Sequence, residues 1–221
     1  MEKFDYKKEM MLWVFLLLPL FYLGYVWNAL PDTVPIHFDV KGEPNGWAGK
    51  ESELILIGVT FFVYFFTLFL RKIDPKNLNE GFFTNNYFKI RIALVVFLSV
   101  LSIMVIYVAL PGNEHSGVHW IPACAFLFIA ILGNFMINLK PNWFIGIRTP
   151  WTLSNDKVWK KTHQVGGRIW FYGGLICVVV NFLLKGAWLE GFLLSFILGS
   201  TAFLFGYSFW LFKQEEKQVT E

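Results

Sequence analysis

Long runs of apolar residues alternate with short polar stretches along the whole chain. Six runs approach the about 20 residues that a helix needs to cross a bilayer, and they lie at 11–30, 53–70, 90–110, 119–138, 169–184 and 189–212. The fifth is short for a span and needs residues from either side. The gaps hold at most about 30 residues, fewer than the about 50 of an independent soluble domain. The pattern predicts an all-α integral membrane protein with six transmembrane helices in one bundle.

Composition supports this class. Hydrophobic residues make up 56% of the 221 positions and charged residues 16%, whereas soluble domains carry about 25% charged residues. We divide the chain into a four-helix membrane region at 1–138, with an extracytoplasmic loop at 30–50, and a second region at 139–221. The second region holds a cytoplasmic loop at 139–168 and two further spans.

The positive charges predict the orientation of the bundle. Sixteen of the nineteen Lys and Arg residues lie in the N-terminal segment, in the loops after the second and fourth spans, and in the C-terminal tail. Cytoplasmic loops carry the excess of Lys and Arg. Both termini are therefore expected in the cytoplasm, and the loop at 30–50 outside.

The outer loop has an alternating pattern of its own. Apolar residues occupy every second position at Val34, Ile36, Phe38 and Val40. A period of two indicates an extended segment with one apolar face, and Pro35 restricts it to an edge or single strand. The Pro-Asn-Gly sequence at 44–46 is typical of a turn. We predict an ordered lid against the outer mouth of the bundle.

Histidines and carboxylates in the outer loops raise the alternative of a metal site. The candidates are His37, Asp39, His115 and His119. The last two are four residues apart, a ligand spacing if helical, but no HExxH motif accompanies them. The other interpretation is that they bond the lid to the bundle and to interfacial water.

The cytoplasmic loop is bounded by breaks at Pro141 and Pro150. Ser154 is the predicted N-cap of a short amphipathic helix, with apolar positions on one face, lysines on the others and tryptophans around it. Such a helix is typical of a membrane interface. Arg148 has two interpretations: it contacts lipid phosphate or caps a helix end, or its planar fork holds a carboxylate or phosphate of a partner.

The interiors of the six spans contain few polar side chains. Their middles lack charged residues, which argues against an ion-coupled transporter. Asn134 and Asn181 are the most polar residues at depth, and we expect each to bond a neighbouring helix. The last span contains small residues four apart, Ser195 with Gly199 and Ala202 with Gly206, which permit close packing within the bundle or between copies. The two cysteines lie inside spans.

No catalytic constellation is recognisable. GxSxG, GxGxxG and Walker-type motifs are absent from the sequence, and no nucleophile stands near a base. We therefore expect neither an enzyme nor a bound cofactor.

Both loops resemble known motifs. LPDTVPIHFDVKGEPNGW is similar to the signature of a small bacterial membrane domain of unknown biochemistry, the DUF1648 type. NWFIGIRTPWTLSNDKVWKKTHQVGG resembles the loop of the SdpI family of immunity proteins. The resemblance implies an outer ligand site and an inner partner site. The outer residues are His37, Phe38, Asp39, Gly42, Asn45, Gly46 and Trp47. The inner residues are Asn142, Gly146, Arg148, Thr149, Trp151, Thr152, Trp159 and His163.

The function that the resemblance implies is immunity at the bacterial plasma membrane. The protein would protect the cell from a secreted antimicrobial peptide and would signal by sequestering a cytoplasmic ArsR-like repressor, contacting membrane lipid but no nucleic acid directly. Two alternatives stay open: a metal-dependent membrane enzyme that uses the outer His and Asp residues, and a peptide or lipid transporter.

Overall fold

A computed structural model describes residues 6–39, 43–73, 86–113, 117–142, 145–184 and 186–220. These residues form seven α-helices and one β-hairpin, which lies between the first two helices. The helices are α1 (Tyr6–Val26), α2 (Glu53–Ile73), α3 (Asn86–Val108), α4 (Gly117–Met136), α5 (Pro150–Ser154), α6 (Asp156–Leu183) and α7 (Gly186–Thr220). The antiparallel strands are β1 (Thr33–Phe38) and β2 (Pro44–Gly49), and a 3₁₀ turn at Lys50–Ser52 leads into α2.

Six of the helices, all except α5, are long and apolar enough to cross a membrane. This confirms the predicted class: the chain is a multi-pass membrane protein by the length and composition of its helices. The six helices alternate in direction, so the bundle has two distinct ends. We call them the hairpin end, where β1 and β2 lie, and the loop end, where residues 145–154 lie.

The prediction for the loop end was wrong in one respect. The amphipathic segment is not a separate helix, because α6 runs without a break from Asp156 to Leu183. Its N-cap is Asn155, whose side chain accepts hydrogen bonds from the backbone N–H groups of Lys157 and Val158 at 2.9 and 3.1 Å. Ser154, the predicted cap, ends α5 and donates to the carbonyl of Trp151 instead.

Two helices are longer than a bilayer requires. At 28 and 35 residues, α6 and α7 measure about 42 and 52 Å, compared with about 30 Å of hydrocarbon. The apolar run of α6 occupies its second half, from 169 to 183. The polar first half of α6 lies at the loop end, and the loop folds against it.

Helices α1, α2 and α3 pack on one another, α4 joins α3 to α6, and α7 packs on α5 and α6. The closest approach is between α4 and α6. A Cβ atom added at Gly133 would lie 2.5 Å from the backbone nitrogen of Phe171, and one at Gly167 would lie 2.6 Å from the carbonyl oxygen of Gly133. Only glycine fits here, because the two backbones touch.

Polar side chains link the helices near both ends. At the hairpin end, Asn181 of α6 donates to the carbonyl of His119 in α4 at 2.7 Å, and the His119 ring donates back to the Asn181 carbonyl at 2.9 Å. This confirms the expectation for Asn181. The same expectation was wrong for Asn134, which is exposed near the end of α4 and whose side chain makes no hydrogen bond within the described residues.

A buried ion pair lies towards the loop end. Arg91 of α3 donates to both carboxylate oxygens of Glu9 in α1, at 2.6 and 3.0 Å, and the Tyr64 hydroxyl of α2 donates to the same carboxylate at 2.8 Å. Both charged residues are almost completely buried. One bidentate pair therefore ties together the first three helices.

Candidate functional site

The hairpin is anchored on the bundle by its first strand. Val34 has no exposed surface and joins a core cluster that includes Leu23 and Val26 of α1, Ile57 of α2 and Ile106 of α3. The segment is thus a strand packed on the bundle, as predicted.

The predicted alternation of the strand fails after two residues. Pro35 is buried beside Val34, whereas Ile36 is 57% exposed. The cause is an irregularity in the strand register between Pro35 and His37, since a bulge rotates the following side chains to other faces. Ile36 therefore points away from the core, where the period of two had placed it inside.

The predicted ligand residues come together around the hairpin. The ring nitrogen Nδ1 of His37 lies 2.5 Å from Oδ1 of Asn45 across the strands. Asp39 accepts a hydrogen bond from the backbone of Glu43 at 2.9 Å and so closes the turn. A Cβ atom added at Gly46 would lie 3.0 Å from the Cβ atom of His37, so a larger residue there would require the strands to shift slightly. His37, Asn45 and Gly46 thus hold the two strands together.

Of this set, Trp47 offers the largest apolar surface. It stands opposite Pro35 in the hairpin and is 56% exposed, while Phe38 is half-buried. Gly42 lies outside the described residues. A groove of about 470 Å³ opens at the same end between α1, α3 and α4, and Tyr22, Tyr107 and Trp120 line it. The hairpin end therefore exposes aromatic side chains.

The metal candidates do not form a site in the part of the chain that the structure describes. No three His, Cys, Asp or Glu side chains gather there around a common point. His37 bonds Asn45, and His119 bonds α6. His115 lies outside the described residues.

At the loop end, Asn142 closes the turn that precedes Arg148. Its side chain accepts from the backbone N–H of Ile145 at 2.7 Å and donates to the carbonyls of Lys140 and Ile145. Gly146 follows with φ +118°, and a Cβ there would collide with Nε2 of His163. Glycine is required both by this backbone conformation and by the close contact.

His163 connects the loop to α6. Its Nε2 accepts a hydrogen bond from the backbone N–H of Ile147 at 2.9 Å, and its Nδ1 donates to the carbonyl of Trp159 at 2.8 Å. The ring stacks on the Trp159 indole, with centroids 4.0 Å apart, and the indole N–H donates to the carbonyl of Leu139. A backbone N–H can only donate, so this geometry requires the neutral ring with its proton on Nδ1.

Two threonines fix the segment after Arg148. Thr149 caps α5: its hydroxyl accepts from the Thr152 backbone N–H, and the Thr152 hydroxyl accepts in return from the Thr149 backbone N–H. The Thr149 hydroxyl also lies 3.0 Å from the hydroxyl of Ser208 in α7. Trp151 packs its ring against Phe205 and Phe209. The capping box fixes the start of α5, and the contacts of Thr149 and Trp151 hold α5 against α7.

Arg148 differs from its neighbours. Asn142, Thr149, Thr152, Trp159 and His163 are buried, and their polar groups are bonded within the chain. Arg148 is exposed, and its guanidinium makes no hydrogen bond or ion pair within the described residues. The capping interpretation is therefore not supported there. The loop presents a single planar cation on a rigid support.

Two residues that make polar contacts at the loop end were not predicted from the sequence. Ser208 bonds Thr149, as described above. Glu215 of α7 is buried, and its carboxylate pairs with Lys157 and Lys161 of α6, both at 3.1 Å. Both partners lie more than 50 positions from their counterparts in the sequence, so no local pattern connects them.

Comparison with known proteins agrees with these two regions. The model of the SdpI/YfhL protein family matches residues 138–208, and that of a domain of unknown function, DUF1648, matches residues 14–62. The Immunity protein SdpI of Bacillus subtilis (strain 168) is 26% identical over 159 residues, which cover 71% of this chain and 73% of that protein. No solved structure matches the chain. Residues 138–208 thus match the SdpI/YfhL family, residues 14–62 ahead of them match DUF1648, and the chain is distantly similar to the immunity protein SdpI.

Proposed function

We propose that this chain is an immunity protein of the bacterial plasma membrane that protects the cell against a secreted killing peptide. The observation that carries the proposal is the similarity to an immunity protein over 71% of this chain. The two matched regions contain the hairpin, with its exposed Trp47, and the loop with the exposed Arg148.

The orientation follows from charge. With sixteen of nineteen Lys and Arg residues in segments of the loop end, this end faces the cytoplasm and the hairpin end faces the medium. A peptide that arrives from outside then meets the hairpin first.

We assign peptide contact to the hairpin end. Trp47 and Ile36 are more than half exposed on the hairpin, and an amphipathic peptide can pack its apolar face on them. Large aromatic side chains contribute most to such contacts because they bury much area with few rotatable bonds. His37, Asn45 and Gly46 support the contact indirectly by holding the strands in place.

We assign partner contact to Arg148. Its five N–H donors are free within the described residues and suit a carboxylate or phosphate. The buried neighbours keep this side chain in position. The partner that the family resemblance implies is an ArsR-like repressor, which would be held at the membrane when the peptide is bound.

Survival of a sensitive bacterium tests the outer contact. Cells that express the wild-type chain are expected to survive a dose of purified killing peptide that kills cells without it. Trp47→Ala should lose protection. Trp188→Ala is the matched control, because Trp188 is also exposed at the hairpin end but lies on α7. Death of wild-type cells at normal membrane levels of the protein, or equal protection by both variants, would overturn this assignment.

Membrane fractionation tests the inner contact. In the presence of peptide, the repressor is expected in the membrane fraction of wild-type cells and in the soluble fraction of Arg148→Ala cells. Lys160→Ala removes another exposed cation near the loop and should leave recruitment unchanged. Unaltered recruitment in Arg148→Ala cells would remove Arg148 from the role.

A further inference from the structure

An apolar groove of about 420 Å³ runs along the bundle between α3 and α4, and no residue of the hairpin or of the Arg148 loop lines it. Its floor contains the stacked rings of Phe97 and Phe128, which are 4.1 Å apart and nearly parallel. Aliphatic and aromatic side chains line the rest, apart from Cys124 near one end and Lys89 at the other. The groove is thus an apolar trough with one cation at its mouth.

The length of the trough matches one leaflet of a membrane. It extends from Lys89 to Val100 on α3 and from Phe135 back to Cys124 on α4, which is about 17 Å on either helix at about 1.5 Å per residue. The hydrocarbon core is about 30 Å thick, so the trough reaches from one interface to near the bilayer midplane. One acyl chain of a phospholipid extends over the same depth.

The charge at the mouth indicates the headgroup. Lys89 is exposed and has no ion-pair partner among the described residues. The neighbouring cation, Arg91, is already paired with Glu9. A lysine at this depth extends its ammonium to the interface, where lipid phosphates lie. An anionic lipid pairs with the Lys89 ammonium better than a zwitterionic lipid does, because the cation of a zwitterionic headgroup competes for the phosphate.

A second copy of the chain is a poorer occupant of the groove. Suppose that two copies have the same orientation in the membrane and pack through this face about a two-fold axis. Both Lys89 side chains would then lie at the same depth. Like charges that approach each other at low dielectric repel strongly. A lipid avoids this repulsion because it brings the opposite charge.

We propose that the α3–α4 groove is a binding site for one anionic phospholipid. One acyl chain lies on Phe97 and Phe128, and the headgroup phosphate pairs with Lys89. This site is independent of the immunity function proposed above, and it lies in the leaflet on the loop end of the bundle.

Native mass spectrometry tests the site, with protein taken from vesicles of equal phosphatidylglycerol and phosphatidylcholine. The wild type is expected to retain one phosphatidylglycerol, with a preference of about fivefold, as for one lysine at an anionic surface. Lys89→Gln should lose the preference, and Lys160→Gln, an exposed lysine outside the groove, should keep it. Equal preference in the Lys89→Gln protein and the wild type would overturn the proposal.

A filling variant and a location measurement provide independent checks. Ala93 lines the groove, so Ala93→Phe should remove the retained lipid even if Lys89→Gln fails to fold. A phosphatidylglycerol with a photoreactive group in its acyl chain should crosslink to residues 92–100 or 124–131. Crosslinks confined to other helices, or a dimer joined through this face in place of bound lipid, would refute the site.

Discussion

At the scale of single residues, most of the family motif at the loop end supports one side chain. His163 contacts Gly146 and accepts from the backbone of Ile147, and Thr149 caps α5, so these contacts fix the backbone on both sides of the exposed Arg148. The sequence motif marked these residues without separating supports from contacts. To tell supporting residues from contact residues, one must know which side chains are buried. Their burial depends on α6 and α7 packing over the loop.

Gly146→Ala tests this support. A side chain at φ +118° is strained and would collide with His163, so the loop should be destabilised by about 1–3 kcal/mol. Gly191→Ala is the control, because no atom lies within 4 Å of a Cβ there, and alanine favours a helix by about 0.5–1 kcal/mol. Thermal unfolding in detergent should show a lower Tm for Gly146→Ala only. Equal Tm values for both variants would contradict the geometry.

Two buried glutamates allow a second comparison of single residues. Glu9 is paired with Arg91 and Tyr64. Glu53 is 4% exposed at the start of α2, and its carboxylate makes no hydrogen bond or ion pair within the described residues. Glu9→Gln leaves the Arg91 charge uncompensated and should cost about 3–5 kcal/mol. Glu53→Gln removes an unpaired buried acid, so stability should stay equal or rise.

The same unfolding measurement in detergent decides between these two outcomes. The expected order of Tm values is Glu53→Gln at or above wild type, and Glu9→Gln well below it. A Glu9→Gln protein as stable as wild type would mean that the ion pair does not hold α1, α2 and α3 together.

At the scale of elements, the apolar runs predicted the six long helices because each must satisfy its backbone within itself in lipid. The continuity of α6 was not predictable in the same way. Its first half is polar and amphipathic, and α5 and α7 cover it through contacts such as that between Lys161 and Glu215. The strand of the hairpin was predicted, but the turn predicted at 44–46 was wrong, because these residues begin β2 and pair with β1. The register of the two strands depends on an irregularity that no residue pattern marks.

Close packing within the bundle does not occur at the small residues of α7, and packing between copies there stays a prediction. The small residues singled out in α7, such as Gly199 and Gly206, have no atom within 4 Å of an added Cβ. The helix pair that touches is α4 with α6, through Gly133, Gly167 and Gly174. Spacing alone identifies a helix face that permits close approach, and only the partner helix shows which face is used.

Gly133→Leu therefore should separate α4 from α6, because a side chain there would overlap the backbone of Phe171. We expect loss of folded protein in detergent, measured as a monodisperse peak in size-exclusion chromatography. Gly199→Leu adds the same side chain to an open face of α7 and should give a normal peak. Normal behaviour of both variants would show that the α4–α6 contact has room to relax.

At the scale of the whole molecule, the two proposed contact surfaces lie at opposite ends of one bundle. The hairpin end presents Trp47, and the loop end presents Arg148. The charge pattern predicts which end faces the cytoplasm, and both proposed contacts depend on that orientation. If the bundle were inverted, the peptide could not reach the hairpin, and a cytoplasmic repressor could not reach Arg148.

The most direct test of the account is the side of the membrane on which each end lies. Glu43→Cys in the hairpin and Ser154→Cys in the loop each add a thiol at an exposed position. The wild type is the blank, because Cys124 and Cys177 lie inside α4 and α6. A membrane-impermeant maleimide added to intact cells should label Glu43→Cys at once and Ser154→Cys only after the cells are opened. Labelling of Ser154→Cys alone in intact cells would invert the bundle and contradict both proposed contacts.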